Sequence, residues 1–251
     1  TSIGIGGGAG TLQISQATID KFTDGGFTQV IYGRDQGQHT VTVGDGATLV
    51  TLRDPTLIRN EAGGSTSLTA NIRSTVTALE SASTGHPALE FQGSGSTTTV
   101  NVADLVITST GSALVFNDAI RFNNSATFDT TDAGGVAAGA DITFNEIVFP
   151  NTAGTRDFTL RAGTGGNVSF AANAGILAFR DILFVSANDV TFAGTVLARS
   201  LTFSATALGT VTLRGNVTTT GLNATTANTI GVDVRGASIV LDGLTIASGS
   251  N

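Results

Sequence analysis

The chain has 251 residues, 40% hydrophobic and 12% charged, with 33 Gly, 14 Phe, no Cys, Met or Trp, and a formal net charge of −7. Abundant β-branched and aromatic residues in a periodic arrangement argue against disorder, and the lack of cysteine removes disulfides, thiolate metal sites and cysteine nucleophiles together. Scattered acidic residues and well-separated arginines argue against nucleic-acid binding, which needs clustered Lys and Arg along a phosphate track.

From the start, residues 1–10 are glycine-rich, and the run from Gly4 to Ala9 superficially resembles a dinucleotide fingerprint. That motif works only between a strand and a helix whose amides face a pyrophosphate. Residues 11–15 instead follow with the alternation of another strand, so a turn is predicted. Residues 15–25 are the one place where a helix is expected: Ser15 can cap it, Ile19 and Phe22 share a face, and Gly25 can end it. Strands are predicted at 29–32, 40–43 and 48–52, with a tight turn at Gly44, Asp45 and Gly46 between the last two. From 54 to 95 the pattern weakens, with bends at Pro55 and Pro87, a polar loop at 61–65 and strand-like pieces at 67–70, 75–79 and 88–91. The pairs Val100 and Val102, Leu105 and Ile107, Leu114 and Phe116, and Ile120 and Phe122 continue the series, and 129–139 is a loop.

The clearest organisation lies in 141–221. Apolar–polar–apolar triplets recur there: Ile142-Thr143-Phe144, Phe158-Thr159-Leu160, Val168-Ser169-Phe170, Val190-Thr191-Phe192, Leu201-Thr202-Phe203 and Val211-Thr212-Leu213. In an extended chain the outer residues of a triplet point to one face and the central Thr or Ser to the other. Val168, Val190 and Val211 recur at nearly equal intervals, a spacing the size of one solenoid coil. Gly, Asn, Ala and Asp between the triplets turn the chain by tolerating positive φ or bonding their own backbone. Ile230, Val232 and Val234, Ile239 and Leu241, and Leu244 and Ile246 make one more coil without a capping element.

Strands this short, with irregular turns and a period near 20, favour a parallel β-helix over a sandwich of longer hairpin-linked strands. The predicted fold is all-β: a β-solenoid with coils of roughly 20 residues, continuous over 1–251 as a single domain, least regular in 54–95 and clearest in 141–221. About twelve such coils give a rod on the order of 55 Å long. Phe170, Phe192 and Leu213 are expected to form a ladder inside the tube.

Residues 141–145, 158–170 and 211–221, together with 3–15 and 17–20, resemble the repeats of very large bacterial exoproteins of the filamentous-haemagglutinin type. The resemblance implies a right-handed parallel β-helix, secreted and associated with the cell surface, serving adhesion, biofilm or extracellular filaments. It supplies no catalytic motif. The absence of cysteine suits a chain that stays unfolded while crossing a narrow outer-membrane pore.

The sharpest rival is a carbohydrate-active β-helix enzyme, a polysaccharide lyase or hydrolase, or else a sugar-binding module. The enzyme needs carboxylates converging on one face of adjacent coils, and Asp129 with Asp132 is the closest cluster, in an Ala/Gly loop whose acids are expected to be solvated. Arg156-Asp157 and Arg180-Asp181, about one coil apart, are expected to stack as a charged structural ladder. His39 and His86 have no partners at ligand spacing. Calcium has possible places at 44–46 and near Asp24, without the EF-hand or acidic nonapeptide pattern. Sugar stacking wants exposed Trp or Tyr, and the only one is Tyr32.

No catalytic, cofactor-binding or metal residue is therefore assigned, and no cofactor. The expected partners are a second copy joined end to end, through strand material at 1–5 and 244–248, or continuation in a longer chain, and a host-cell or matrix surface. Neither nucleic acid nor a membrane span is expected, since no apolar run approaches the roughly 18 residues a span requires.

Overall fold

A computed structural model describes the chain except residues 35, 37, 61–62, 94, 205–208, 220–231, 244 and 249–251. Ile230 and Leu244, Glu61 and Ala62 of the polar loop, and the end of the 211–221 run lie outside the described residues. All six triplets are strands or parts of strands, and in each the outer residues are buried while the central Thr or Ser is half-exposed. The named strands pair in parallel throughout. The fold is thus a parallel β-helix, wound so that each coil lays one strand on each of three faces.

One face is a sheet of nine strands, from Val30–Arg34 through Leu89–Gln92 and Val168–Phe170 to Ser238–Leu241. The other two faces join into one sheet of 17 strands, because Ala174–Ser186 and Val196–Phe203 run round the corner and belong to both. On the nine-stranded face the inward partners form an unbroken column: Tyr32, Ile58, Phe91, Phe116, Phe144, Phe170, Phe192 and Leu213. In-register parallel rungs lie about 4.8 Å apart, which is also a favourable separation for offset-stacked rings. The five phenylalanines accordingly stack at centroid distances of 5.1, 5.1, 4.8 and 4.5 Å. Phe170 and Phe192 are buried and in register, and Leu213 follows them.

Among the described residues the coils are fewer than about twelve, and they are not uniform. The nine-stranded face gives nine rungs, and its tightest coils run from Val168 to Val190 and on to Val211. The coil from Thr56 to Leu89 is the longest on that face because it carries a helix, and that from Leu114 to Ile142 is lengthened by the 130–141 loop. The tallest face stacks eleven strands, from Leu12–Ile14 to Ile246–Ser248, which at about 4.8 Å per rung spans about 48 Å.

Two helices sit on the outside among the described residues. The first, α1, is Gln16–Ile19, capped by the Ser15 hydroxyl accepting from the Thr18 N–H, and it stops well before Gly25. The second, α2, is Ala78–Thr84, where the sequence pattern suggested strand to residue 79; the strand Ile72–Thr77 ends at Thr77, whose hydroxyl caps the new helix at Glu80 N–H. Gly85, at φ 73°, closes it in the left-handed conformation that a Cβ disfavours.

At the corners, Asp45 and Asp129 accept backbone N–H groups two or three residues on, as expected, while other Asn and Asp side chains reach the next coil. The Oδ1 atoms of Asn71, Asn173 and Asn216 accept the N–H groups of Val106, Thr195 and Thr245, each at 2.9 Å. Asp141, Asn167 and Asp189 do the same for Asn167, Asp189 and Thr210. Each staples one coil to the next, filling a backbone donor that the turn removes from the sheet ladder.

Candidate functional site

The glycine-rich start is a close-packed reversal. A Cβ on Gly4 would lie 1.9 Å from the Gly8 carbonyl oxygen, and one on Gly8 2.1 Å from that of Thr42. Only glycine lets the chain fold back on itself so that Leu12–Ile14 can pair outside Ser2–Ile5. The Gln16 side chain then pairs with the Thr51 backbone, donating to its carbonyl at 3.0 Å and accepting its N–H at 3.1 Å. Ser2–Ile5 is therefore covered at this end, contrary to the reading of 1–5 as an uncapped edge. Leu12–Ile14 beside it, and Val30–Arg34 on the nine-stranded face, have no outer strand among the described residues.

Asp129 and Asp132 do not form a solvated pair. Asp129 is buried, and its Oδ1 accepts both the N–H and the hydroxyl of Thr131 at 2.6 Å. Asp132, at φ 50°, receives two bonds from the Arg73 guanidinium at 3.1 and 2.9 Å. The same contact raises the Arg73 pKa, through the hydrogen bond first and the opposite charge second. Thr131 orients one carboxylate inward while Arg73 draws the other across the loop, so both are engaged in holding the loop to the wall.

The charged ladder exists in altered form. Asp157 and Asp181 are register partners, and the Arg180 guanidinium grips Asp157 on the coil below, with Nε 2.6 Å from Oδ1. Ser200 donates to Asp181. Arg156 joins only through its backbone carbonyl, which accepts the Arg180 N–H, and its Nε has no partner.

His39 is buried with Nε2 2.9 Å from the Arg59 carbonyl, while His86 lies in a groove of about 590 Å³ beside α2, with Ala82, Pro87, Ser112 and Asp141. Asp45 uses its carboxylate on the N–H groups of Thr48 and Ala47, which lower its pKa. Asp24 accepts from Thr75 at 3.3 Å. Glu80 is pushed up by burial and by Asp24. Tyr32 is buried in the column, and its hydroxyl is pushed up to about 12 by burial and by Asp54. Among the described residues no three His, Cys, Asp or Glu side chains group closely enough to hold a metal ion, and no helix is long and apolar enough to cross a membrane.

The outer surface carries hydroxyls in rows. Ser2, Thr40, Ser65 and Thr97 are successive register partners, as are Thr42 and Ser67 beside them, where Thr99 continues the row but is buried, with the Arg121 guanidinium 3.4 Å from its hydroxyl. A polar groove of about 420 Å³, lined by Ser2, Thr11, Gln38, Thr40 and Ser65, opens at their edge. These rows are not evident from any one strand of the sequence, although the alternation in 40–43 and 65–68 carries the signal. A buried polar corner around Asp118 is likewise hidden in the sequence, because Thr98 stands at an inward position that alternation reserves for apolar residues.

No protein-family model, curated protein or solved structure matches this chain.

Proposed function

We propose that this chain is a structural and adhesive rod segment of a secreted bacterial surface protein or extracellular filament, of the filamentous-haemagglutinin type, without an enzymatic centre. The supporting observation is the continuous inward column from Tyr32 to Leu213. It joins successive coils into one stiff body, because each rung is packed against its neighbours above and below. Function then rests on the outer faces, and the Ser and Thr rows with their polar groove offer hydrogen-bonding contact to a host-cell or matrix surface.

Contacts between rods, or continuation in a longer chain, would use the edge of Val30–Arg34 at one end and Ser238–Leu241 with Ile246–Ser248 at the other. Unpaired edges add strands readily. A binding assay of the purified chain on immobilised cells and matrix proteins, run beside a panel of acidic and neutral polysaccharides, tests this reading. Saturable binding without polysaccharide cleavage is expected. Cleavage lost in Asp129→Asn or Asp132→Asn would overturn it in favour of a carbohydrate-active enzyme.

A further inference from the structure

Along one face of the helix the inward register partners are Val41, Thr66, Thr98, Ile120 and Val148. Two polar residues interrupt an otherwise apolar row, and the adjoining corner explains why. Thr98 Oγ1 donates to Asp118 Oδ2 at 2.6 Å, and Ser96 Oγ reaches the same oxygen at 3.4 Å. Asp118 is only 2% exposed, and its Oδ1 has no partner among the described residues. Lower in the same corner Asn60 is fully buried, with Nδ2 3.4 Å from Thr66 Oγ1 and an Oδ1 that also lacks a partner. Gly93 seals the space between: a Cβ there would lie 1.7 Å from Ser96 Oγ and 2.2 Å from the Asn60 carbonyl oxygen.

No positive group among the described residues pairs with Asp118. Arg121, on the neighbouring strand Ala119–Phe122, reaches Thr99 Oγ1 at 3.4 Å. Glu90, on the coil below, accepts from Asn117, and Glu146, on the coil above, adds like charge. Removing a carboxylate from water without a counter-ion is strongly unfavourable, and the usual remedy is a proton. A neutral carboxyl keeps Oδ2 as the acceptor for Thr98 and Ser96 and places its hydrogen on Oδ1, the oxygen that has no other use.

We propose that the corner closed by Asp118 is a proton-binding site in the wall of the helix, so that the coils carrying Thr66, Thr98 and Ile120 are held most firmly in acid and loosen as Asp118 ionises. Burial, with a smaller push from Glu146, raises this carboxyl from 3.8 to about 6, while the Thr98 hydroxyl, the residue's own backbone N–H and the Ser96 hydroxyl restrain the rise. A carboxyl whose pKa is higher folded than unfolded binds its proton more tightly in the folded state. Its contribution is therefore complete below the unfolded value of 3.8 and is lost as pH rises through about 6.

The test is denaturant unfolding of the wild-type chain and of Asp118→Asn between about pH 4 and about pH 8, with hydrogen exchange read locally over 97–100 and 119–122. The folding constant of the wild type relative to Asp118→Asn is expected to fall on the order of a hundredfold across that range. The loss should concentrate in those two segments. Thr98→Val, which removes a donor to the ionised form, is expected to move the transition to higher pH, and it serves equally if Asp118→Asn fails to fold. Parallel pH profiles in wild type and variant would overturn the proposal. So would recovery of the wild type at about pH 8 on adding millimolar Ca²⁺ alone, which would identify a metal ion as the missing charge.

Discussion

The coils from 142 to 213 and those from 56 to 131 share one architecture and differ in what fills it. Between 132 and 218 no buried polar side chain occurs among the described residues, and the interior is phenylalanine, aliphatic side chains and alanine. Between 56 and 131 the same inward surface includes Asn60, Thr66, Ser74, Thr98, Ser109 and Asp118. Parallel winding thus requires repeated shape and saturated backbone bonds, not a uniformly apolar core. Rings stack in both stretches, as Phe91 on Phe116 and Phe170 on Phe192, but only in the apolar one do rings and aliphatic side chains fill the interior without polar groups among the described residues. The polar stretch depends on each buried group finding a partner, which is costly wherever one is missing.

The contrast is sharpest in the aromatic stretch. Phe144 meets Phe116, Phe128, Phe158 and Phe170 at 5.1, 5.7, 5.4 and 4.8 Å. Phe144→Ala is expected to lower stability by about 3–5 kcal/mol in denaturant unfolding, and Phe192→Ala by a similar amount. In the other stretch, Ile58→Val, in the same column, is expected to cost only about 0.5–1.5 kcal/mol. Equal losses for Phe144→Ala and Ile58→Val would erase the distinction.

At the corners the two regions should behave alike. Asn71→Ala and Asn173→Ala each strip the partner from one backbone N–H of the next coil, and each is expected to cost about 0.5–1.5 kcal/mol. A difference well beyond that range would show that the staples belong to one region only. The smallest effect is expected at the surface ladder. Arg180 and Asp157 are both half-exposed, so a double-mutant cycle on the pair should give a coupling of about 1 kcal/mol or less that shrinks with added salt.

The regular half of the fold was legible because a triplet such as Val168-Ser169-Phe170 states its register twice, by alternation and by its distance to Val190. The column below it was harder to see: Phe91 and Phe116 belong to it, but the lengthened coil from Leu114 to Ile142 hides the period. Helix α2 was missed because β-branched Thr75 to Thr77 masked Thr77 and Glu80 as a capping pair and Gly85 as a stop. The covered end was misread because Leu12–Ile14 doubles back in parallel beside Ser2–Ile5, a contact across one short glycine-rich turn that no period announces. Among the weighed residues, Asp132 lies in the expected loop, whereas Asp129 is the last residue of the strand Ala126–Asp129, and its burial follows from Thr131 folding over it, which spacing does not reveal.

The central claim is that successive coils stack in parallel and in register, and the lack of native cysteine makes it directly accessible. Ser169, Thr191 and Thr212 are outward register partners on three successive rungs. Adjacent rungs lie about 4.8 Å apart, within the Cα separation a disulfide spans, whereas alternate rungs lie about 9.6 Å apart, beyond it. Cysteine pairs at 169/191 and 191/212 are therefore expected to oxidise to intramolecular disulfides in the folded chain, while 169/212 stays reduced. Bridging at 169/212, or failure of both adjacent pairs, would contradict the stacked helix.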